Sequence, residues 1–305
     1  MELVEAIILT VLAASTPLLI AATGELVTER SGVLNLGVEG MMIVGAACGF
    51  AGAWLTGSII VGALCGIAAG TLTSLIFAAM TLGLAVNQVA TGLALTILGI
   101  GLSGLIGAGF VGERITPAAH LDVPLLTRIP LIGRVVFGED AFVYLSLALI
   151  VGVWWFLYRT RPGLILRACG DNHASAHALG YPVLRIRTFA VMFGGACAGL
   201  AGAYLPLAYT PFFIPGMTAG RGWIALALVV FSSWQPGRLV VGAYLFGAVT
   251  ILQLHAQGAG IGIPSQFMSA LPYLATVIVL ILLSRTRTGG STAPAALGTV
   301  FVPDR

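Results

Sequence analysis

Asn35 and Glu39 sit in Gly32-Val33-Leu34-Asn35-Leu36-Gly37-Val38-Glu39-Gly40-Met41-Met42, at the opening of an apolar run that continues to about Leu55. Their spacing predicts one helical face, the carboxylate one turn from the amide. A carboxylate entering hydrocarbon is costly unless it is paired, hydrogen-bonded or at the interface. Such a pair either meets a polar solute or ties helices together. Asn87 and Gln88, in Asn87-Gln88-Val89-Ala90-Thr91-Gly92, open a later run. Their amides can bond a hydroxylated or heterocyclic solute, or a neighbouring helix. A third cluster, Thr210 to Trp223, gathers Phe212, Phe213, Arg221 and Trp223 among prolines and glycines. Its rings can stack on a flat ring or form an interfacial aromatic belt.

The polar stretch from Arg159 to Arg187 contains Arg161-Pro162-Gly163, then Leu164 to Asn172, then His173-Ala174-Ser175-Ala176-His177-Ala178-Leu179-Gly180. Asp171 or Asn172 can N-cap a short helix through Leu179, and Gly180 can end it. A short capped helix between two spans is either offered to a groove on another protein or is simply solvated. His173 and His177 have the i, i+4 spacing of a metal pair but lack the glutamate of His-Glu-x-x-His, so no metal site is read there.

The elements that position these residues are membrane spans. The chain has 305 residues, 58% hydrophobic and 8% charged, against about 25% charged in a soluble domain. The expected class is an all-α polytopic membrane protein. Apolar runs fall at 3–23, 33–55, 58–83, 84–109, 141–158, 188–209, 221–234, 238–255 and 268–284. Most reach the roughly 20 residues that a spanning helix needs. The expectation is therefore about nine crossings. The run at 221–234 is short and follows Pro211, Pro215, Gly216 and Gly220, so a broken or partly re-entrant helix is expected there. Glu39 is read as the only acid within an apolar run.

Arg159, Arg161, Arg167, Arg185 and Arg187 against Asp171 alone place the 159–187 loop in the cytoplasm by the positive-inside rule. Counting outward puts 24–32 inside, 110–140 outside, Arg238 inside and the tail from Arg285 inside, hence N-out and C-in. The acidic N-terminus lacks the basic n-region of a secretory signal. Gly45 with Gly49, Gly62 with Gly66 and Gly70, and Gly195 with Gly199 predict closely packed helices. The transmembrane region is read as 1–285, and the tail 286–305, rich in Gly, Ser, Thr, Ala and Pro, as disordered.

All 14 basic residues are arginine. Without lysine there is no P-loop and no lysine Schiff base, so any ATP is bound by another subunit. Cys48, Cys65, Cys169 and Cys197 form no Cys-x-x-Cys pair and read as structural. The spans carry no Gly-x-Ser-x-Gly, His-Glu-x-x-His or paired aspartates, which argues against an enzyme. A secondary transporter would carry paired intramembrane acids and internal repeats, and neither is read here.

In order and in form, Glu29 to Gly40, Asn87 to Gly92, Gly170-Asp171-Asn172 to Gly180 and Gly216 to Ala225 resemble the permease subunits of bacterial ABC importers in the branched-chain amino acid, ribose and nucleoside group. The resemblance covers about residues 10–285. Glu39-Gly40-Met41-Met42 and Gly220-Arg221-Gly222-Trp223 are most similar to the nucleoside branch, with simple-sugar permeases next. It implies a type II ABC importer-like bundle in the bacterial inner membrane, surrounded by lipid. It also implies a second permease subunit, an ATPase with two nucleotide-binding halves, and an extracytoplasmic solute-binding protein or lipoprotein. No cofactor of its own and no nucleic acid are implied. The Asp171–Gly180 helix would be the coupling helix, with Arg167, Gly170, Asp171, Asn172, Ala176 and Gly180 as its site residues. Asn35, Glu39, Asn87, Gln88, Phe213, Arg221 and Trp223 would line the solute pathway.

Overall fold

The computed structural model describes residues 2–121, 137–258 and 293–302, with isolated positions between 267 and 281. Its helices are α1 (Glu2–Arg30), α2 (Val38–Thr56), α3 (Ile59–Ala78), α4 (Gln88–Gly107), α5 (Ala141–Arg159), α6 (Arg161–Asp171), α7 (His173–Ala178), α8 (Val183–Tyr204), α9 (Arg221–Phe231) and α10 (Pro236–Gly258). Turns of π-helix at Ala79–Gly83 and Leu205–Tyr209 extend α3 and α8. Among the described residues there is no β-sheet, and seven helices are long and apolar enough to cross a membrane.

Two of the nine expected runs are not among those seven. The run at 268–284 lies outside the described residues. The run at 221–234 contains α9, whose 11 residues extend about 16 Å, half of a ~30 Å hydrocarbon core. Irregular chain from 210 to 220 leads into it, as the prolines and glycines predict.

The first run is longer than its hydropathy suggests. α1 continues to Arg30, so 24–29 is helix and not loop. Glu25 and Glu29 therefore lie inside a spanning helix, both buried. The reading of Glu39 as the only acid in a run is corrected accordingly, and Glu5 too falls within the first run. Likewise α8 begins at Val183, five residues before its apolar run.

The centre is built from glycine. α2, α3 and α8 cross where Gly45 faces the Gly199 backbone, Gly66 faces Ala203, and Gly70 faces Gly195 and Gly199. Backbones touch there because no side chain intervenes, which gives dispersion contact without a hydrophobic driving force. A Cβ at Gly199 would meet the Gly66 carbonyl oxygen and lie 2.9 Å from Gly70 Cα. Backbone atoms in two packed helices cannot step aside. Gly199→Ala is therefore expected to destabilise by about 3 kcal/mol or more, read as a several-fold fall in monodisperse protein after detergent extraction.

Elsewhere the helices end in ordinary ways. Asp140 N-caps α5, its Oδ1 accepting from the N–H groups of Phe142 (2.8 Å) and Val143 (3.1 Å). Burial, and then the neighbouring Asp140, push the Glu139 carboxyl up to about 7, so these adjacent acids need not both be charged. Ile60, Leu72, Ile97 and Leu105 point outward from α3 and α4 and leave an exposed apolar face.

Residues 293–302, within the tail that composition reads as disordered, have a defined place. The Ala296 N–H donates to the Gly170 carbonyl (2.9 Å) and the Gly298 N–H to the Gly32 carbonyl (3.1 Å). Ala296 is buried. These bonds tie the segment to the end of the bundle that carries α6 and α7.

Candidate functional site

A helix that starts inside a protein leaves its first N–H groups to be satisfied by neighbouring groups. α9 starts against the buried beginning of α2, and Glu39 meets that need. Its Oε1 accepts from the Thr218 hydroxyl (2.6 Å) and the Gly220 N–H (2.9 Å), and its Oε2 accepts from the Gly222 N–H (2.6 Å). The carboxylate also faces the positive end of the α9 dipole. Gly220 turns the chain at φ +81°, in the region that favours glycine. A Cβ at Gly222 would lie 2.5 Å from Glu39 Cα, so the two backbones meet directly. Arg221 points its Nη1 at the carbonyls of Met217 (3.0 Å) and Thr218 (3.3 Å), with its guanidinium 5.7 Å from the Tyr209 ring.

Asn35 does not share a helix with Glu39. α2 starts at Val38, and residues 33–35 are irregular. The reason is local: Asn35 Oδ1 accepts from the Gly37 N–H (2.9 Å), closing a side-chain turn that competes with helix. Gln88 and Glu25 hold the irregular stretch. Gln88 Oε1 accepts from the Leu34 N–H (2.8 Å), and Glu25 Oε1 from the Asn35 N–H (3.3 Å). Asn87 is exposed and N-caps α4 through the Ala90 N–H (3.0 Å). Glu25 Oε2, Glu29 Oε1 and Gln88 Nε2 are buried without a hydrogen-bond partner among the described residues.

The remaining predicted pathway residues divide. Phe213 is buried against Phe50, ring centroids 6.2 Å apart, and abuts Gly107. Trp223 and Arg221 are half-buried. The structure thus joins Glu39 to the Arg221 turn and Asn35 to Gln88, and sets Phe213 in a separate aromatic cluster.

The other predicted site lies at the far end of α6. Asn172, not Asp171, caps α7: its Oδ1 accepts from the Ser175 N–H (2.9 Å). Asp171 ends α6 instead. Gly180, at φ +86°, closes the helix by donating its N–H to the His177 carbonyl (2.8 Å). Ala176 is buried with Cys169 and Val183, seating α7 on α6 and α8. Gly170 presses its backbone on Arg30, and the Arg167 guanidinium lies 4.9 Å from the Tyr158 ring. The predicted residues therefore position α7, whereas Ala174, Ser175, Ala178 and Leu179 are the side chains it offers outward.

Arg187 locks this end. Fully buried, it donates Nε to the Ser31 carbonyl (3.1 Å), Nη1 to the Thr299 carbonyl (3.3 Å) and Nη2 to the Cys169 carbonyl (3.5 Å), with His173 Nδ1 3.3 Å from Nη2. One side chain so joins the turn after α1, the end of α6, the start of α7 and the tail. Burial, and then the Arg187 charge, hold His173 below the usual imidazole range. Neutral His173 can accept from Arg187, which a protonated ring cannot do.

Sequence reasoning missed Glu25, Glu29, Arg30, Trp234 and the role of Arg187. Trp234 Nε1–H donates to Glu29 Oε2, and its carbonyl accepts from Arg30 Nε (3.1 Å) and Nη2 (2.7 Å). That clamp holds Ser233 and Trp234 at φ +54° and +57°, a strained link between α9 and α10. The available signal was Glu25-Leu26-Val27-Thr28-Glu29, which carries acids at i, i+4 with no helix breaker before Gly32.

Four matches place this chain among known proteins. The family model described as "Branched-chain amino acid transport system / permease component" matches residues 7–284. The chain is 41% identical over 289 residues to a putative glucose ABC transporter permease protein, TsgC13, of Haloferax volcanii, covering 88% of each chain. It is 32% identical to the nucleoside ABC transporter permease protein NupC of Lactococcus lactis, covering 95% of each, and 30% identical to the guanosine ABC transporter permease protein NupQ of Bacillus subtilis, covering 94% and 93%.

Proposed function

The chain belongs to the family of branched-chain amino acid transport system permease components, and on that premise we propose that it is the spanning subunit of an ATP-driven importer. Its solute carries a polyhydroxylated ring, either the ribose of a nucleoside or a simple sugar. The names of the relatives divide along that line: glucose for one, nucleoside and guanosine for two others.

The observation that carries the mechanism is the α7 ledge. It projects exposed side chains from a buried seat, and Arg187 connects that seat to Ser31, four residues before Asn35. A separate ATPase with two nucleotide-binding halves docks on α7. Its closure moves α7, and the Arg187 bond carries the movement to the 31–37 segment, the Gln88 amide and the start of α2. The solute passes between this chain and a second permease subunit, beside the partly exposed Asn87, Arg221 and Trp223. Asn35, Glu39, Gln88 and Phe213 shape that wall from behind. A solute-binding protein delivers the cargo outside.

Nine crossings, N-out and C-in, fit this reading. α10 begins beside Trp234, near Arg30 and α6, and its 23 residues extend about 35 Å away. Residue 296 is bonded at the α6 end again, on the side where α10 begins.

Competition separates the two solute classes. In vesicles holding this chain with its ATPase, second permease and binding protein, labelled guanosine uptake is challenged with excess nucleosides, ribose or glucose. Block by nucleosides but not glucose supports the nucleoside branch. Glucose uptake indifferent to nucleosides assigns a sugar. Failure to take up either class overturns the solute reading.

A further inference from the structure

Residues 300–302 lie against α7 in a way that the reading of a loose tail does not anticipate. The Phe301 ring stands 5.0 Å from the His173 ring and 5.4 Å from the His177 ring, centroid to centroid, edge-on to the second. Arg187 fixes the segment through Thr299, and the Ala296 and Gly298 N–H groups fix it through Gly170 and Gly32. Between α7 and residues 300–302 opens a cleft of about 610 Å³. Its lining mixes the His173 and His177 imidazoles and backbone polar groups with aliphatic side chains, and apolar side chains in and beside it are exposed: Leu179 77%, Val302 48% and Val300 43%. None of these residues lies in a candidate membrane span. Exposed apolar side chains rimmed by polar groups mark a contact site.

We propose that α7 and residues 300–302 together form one composite docking surface for the ATPase, with Phe301 as the floor between them. This rests on the reading of α7 as the ATPase-facing helix. The floor is a mixture of imidazole, aromatic and aliphatic groups with backbone polar groups at hand, which suits a protein partner better than acyl chains. The segment is pinned at three points before any partner arrives, so little ordering entropy is lost on docking.

The test uses the assembled transporter with a photo-cross-linking residue placed singly at Ala178, at Val302 and, as a control remote from α7, at the exposed Ala119. Cross-links to the ATPase from Ala178 and Val302 but not from Ala119 are the expected result. A cross-link from Ala178 alone overturns the composite surface and leaves α7 as the dock. Absence of a cross-link from Ala178 overturns the reading of α7 itself, and the composite surface with it. Independently, Phe301→Asp is expected to lower the ATPase retained on the purified permease about tenfold, with permease extracted from the membrane changing less than about twofold. Unchanged retention, or an increase that would mark the tail as a cover to be displaced, overturns the proposal.

Discussion

Glu39→Ala is expected to remove nearly all transport and most of the folded protein with it. The substitution strips the Thr218 hydroxyl and the Gly220 and Gly222 N–H groups of their acceptor at once. Each buried donor left unpaired costs about 1–3 kcal/mol. Three of them sum to about 3–9 kcal/mol, most or all of the margin of an ordinary domain. Glu39→Gln discriminates between roles. It keeps the shape and one acceptor but turns an N–H₂ toward donors, so α9 should still be anchored poorly. Detergent-stable yield and uptake are then expected to fall together. If Glu39→Gln leaves yield intact and abolishes uptake, the carboxylate acts on the solute and not as the cap of α9.

Leu179→Asp should do the opposite: leave the protein assembled and stop it working. Leu179 is 77% exposed and follows the last residue of α7, so burying nothing in the free subunit it contributes little to folding. In the docked complex it would enter an ATPase groove, where a carboxylate pays desolvation without a partner. Truncating or charging such an anchor costs about 2 kcal/mol or more, upward of tenfold in retained ATPase. Uptake should fall by a similar factor while permease in the membrane stays constant. Normal uptake by Leu179→Asp would remove α7 from the docking surface.

The class of fold is legible because 58% apolar residues and long uncharged runs leave few alternatives. The half-helix α9 is legible too, since Pro211, Pro215 and Gly220 forbid regular helix before it. So is the frame of α7, because Asn172 and Gly180 announce a start and a stop. What hydropathy hides is helix that continues past its apolar stretch. Glu25 and Glu29 end the apolar run, but Ala22 to Arg30 remains helical, with Thr28 bonded to the Gly24 carbonyl (3.2 Å) and to the Ala190 carbonyl (3.2 Å). The helical spacing of Asn35 and Glu39 misleads because a side-chain turn to Gly37 is local and outcompetes it. The place of residues 293–302 is set by Arg187 and by the carbonyls of Gly170 and Gly32, partners more than 100 residues away. No composition rule contains that pairing.

The central claim is that this chain moves solute only when a separate ATPase drives it. Proteoliposomes containing this chain, its second permease and the ATPase, with ATP enclosed on the ATPase side and binding protein outside, measure that directly. Labelled nucleoside or sugar should accumulate only with hydrolysable ATP and all subunits present, and Leu179→Asp should abolish the accumulation. Accumulation by this chain alone, driven by a proton or sodium gradient and indifferent to ATP, would contradict the account and turn attention to the buried Glu25 and Glu29 as ion-binding acids.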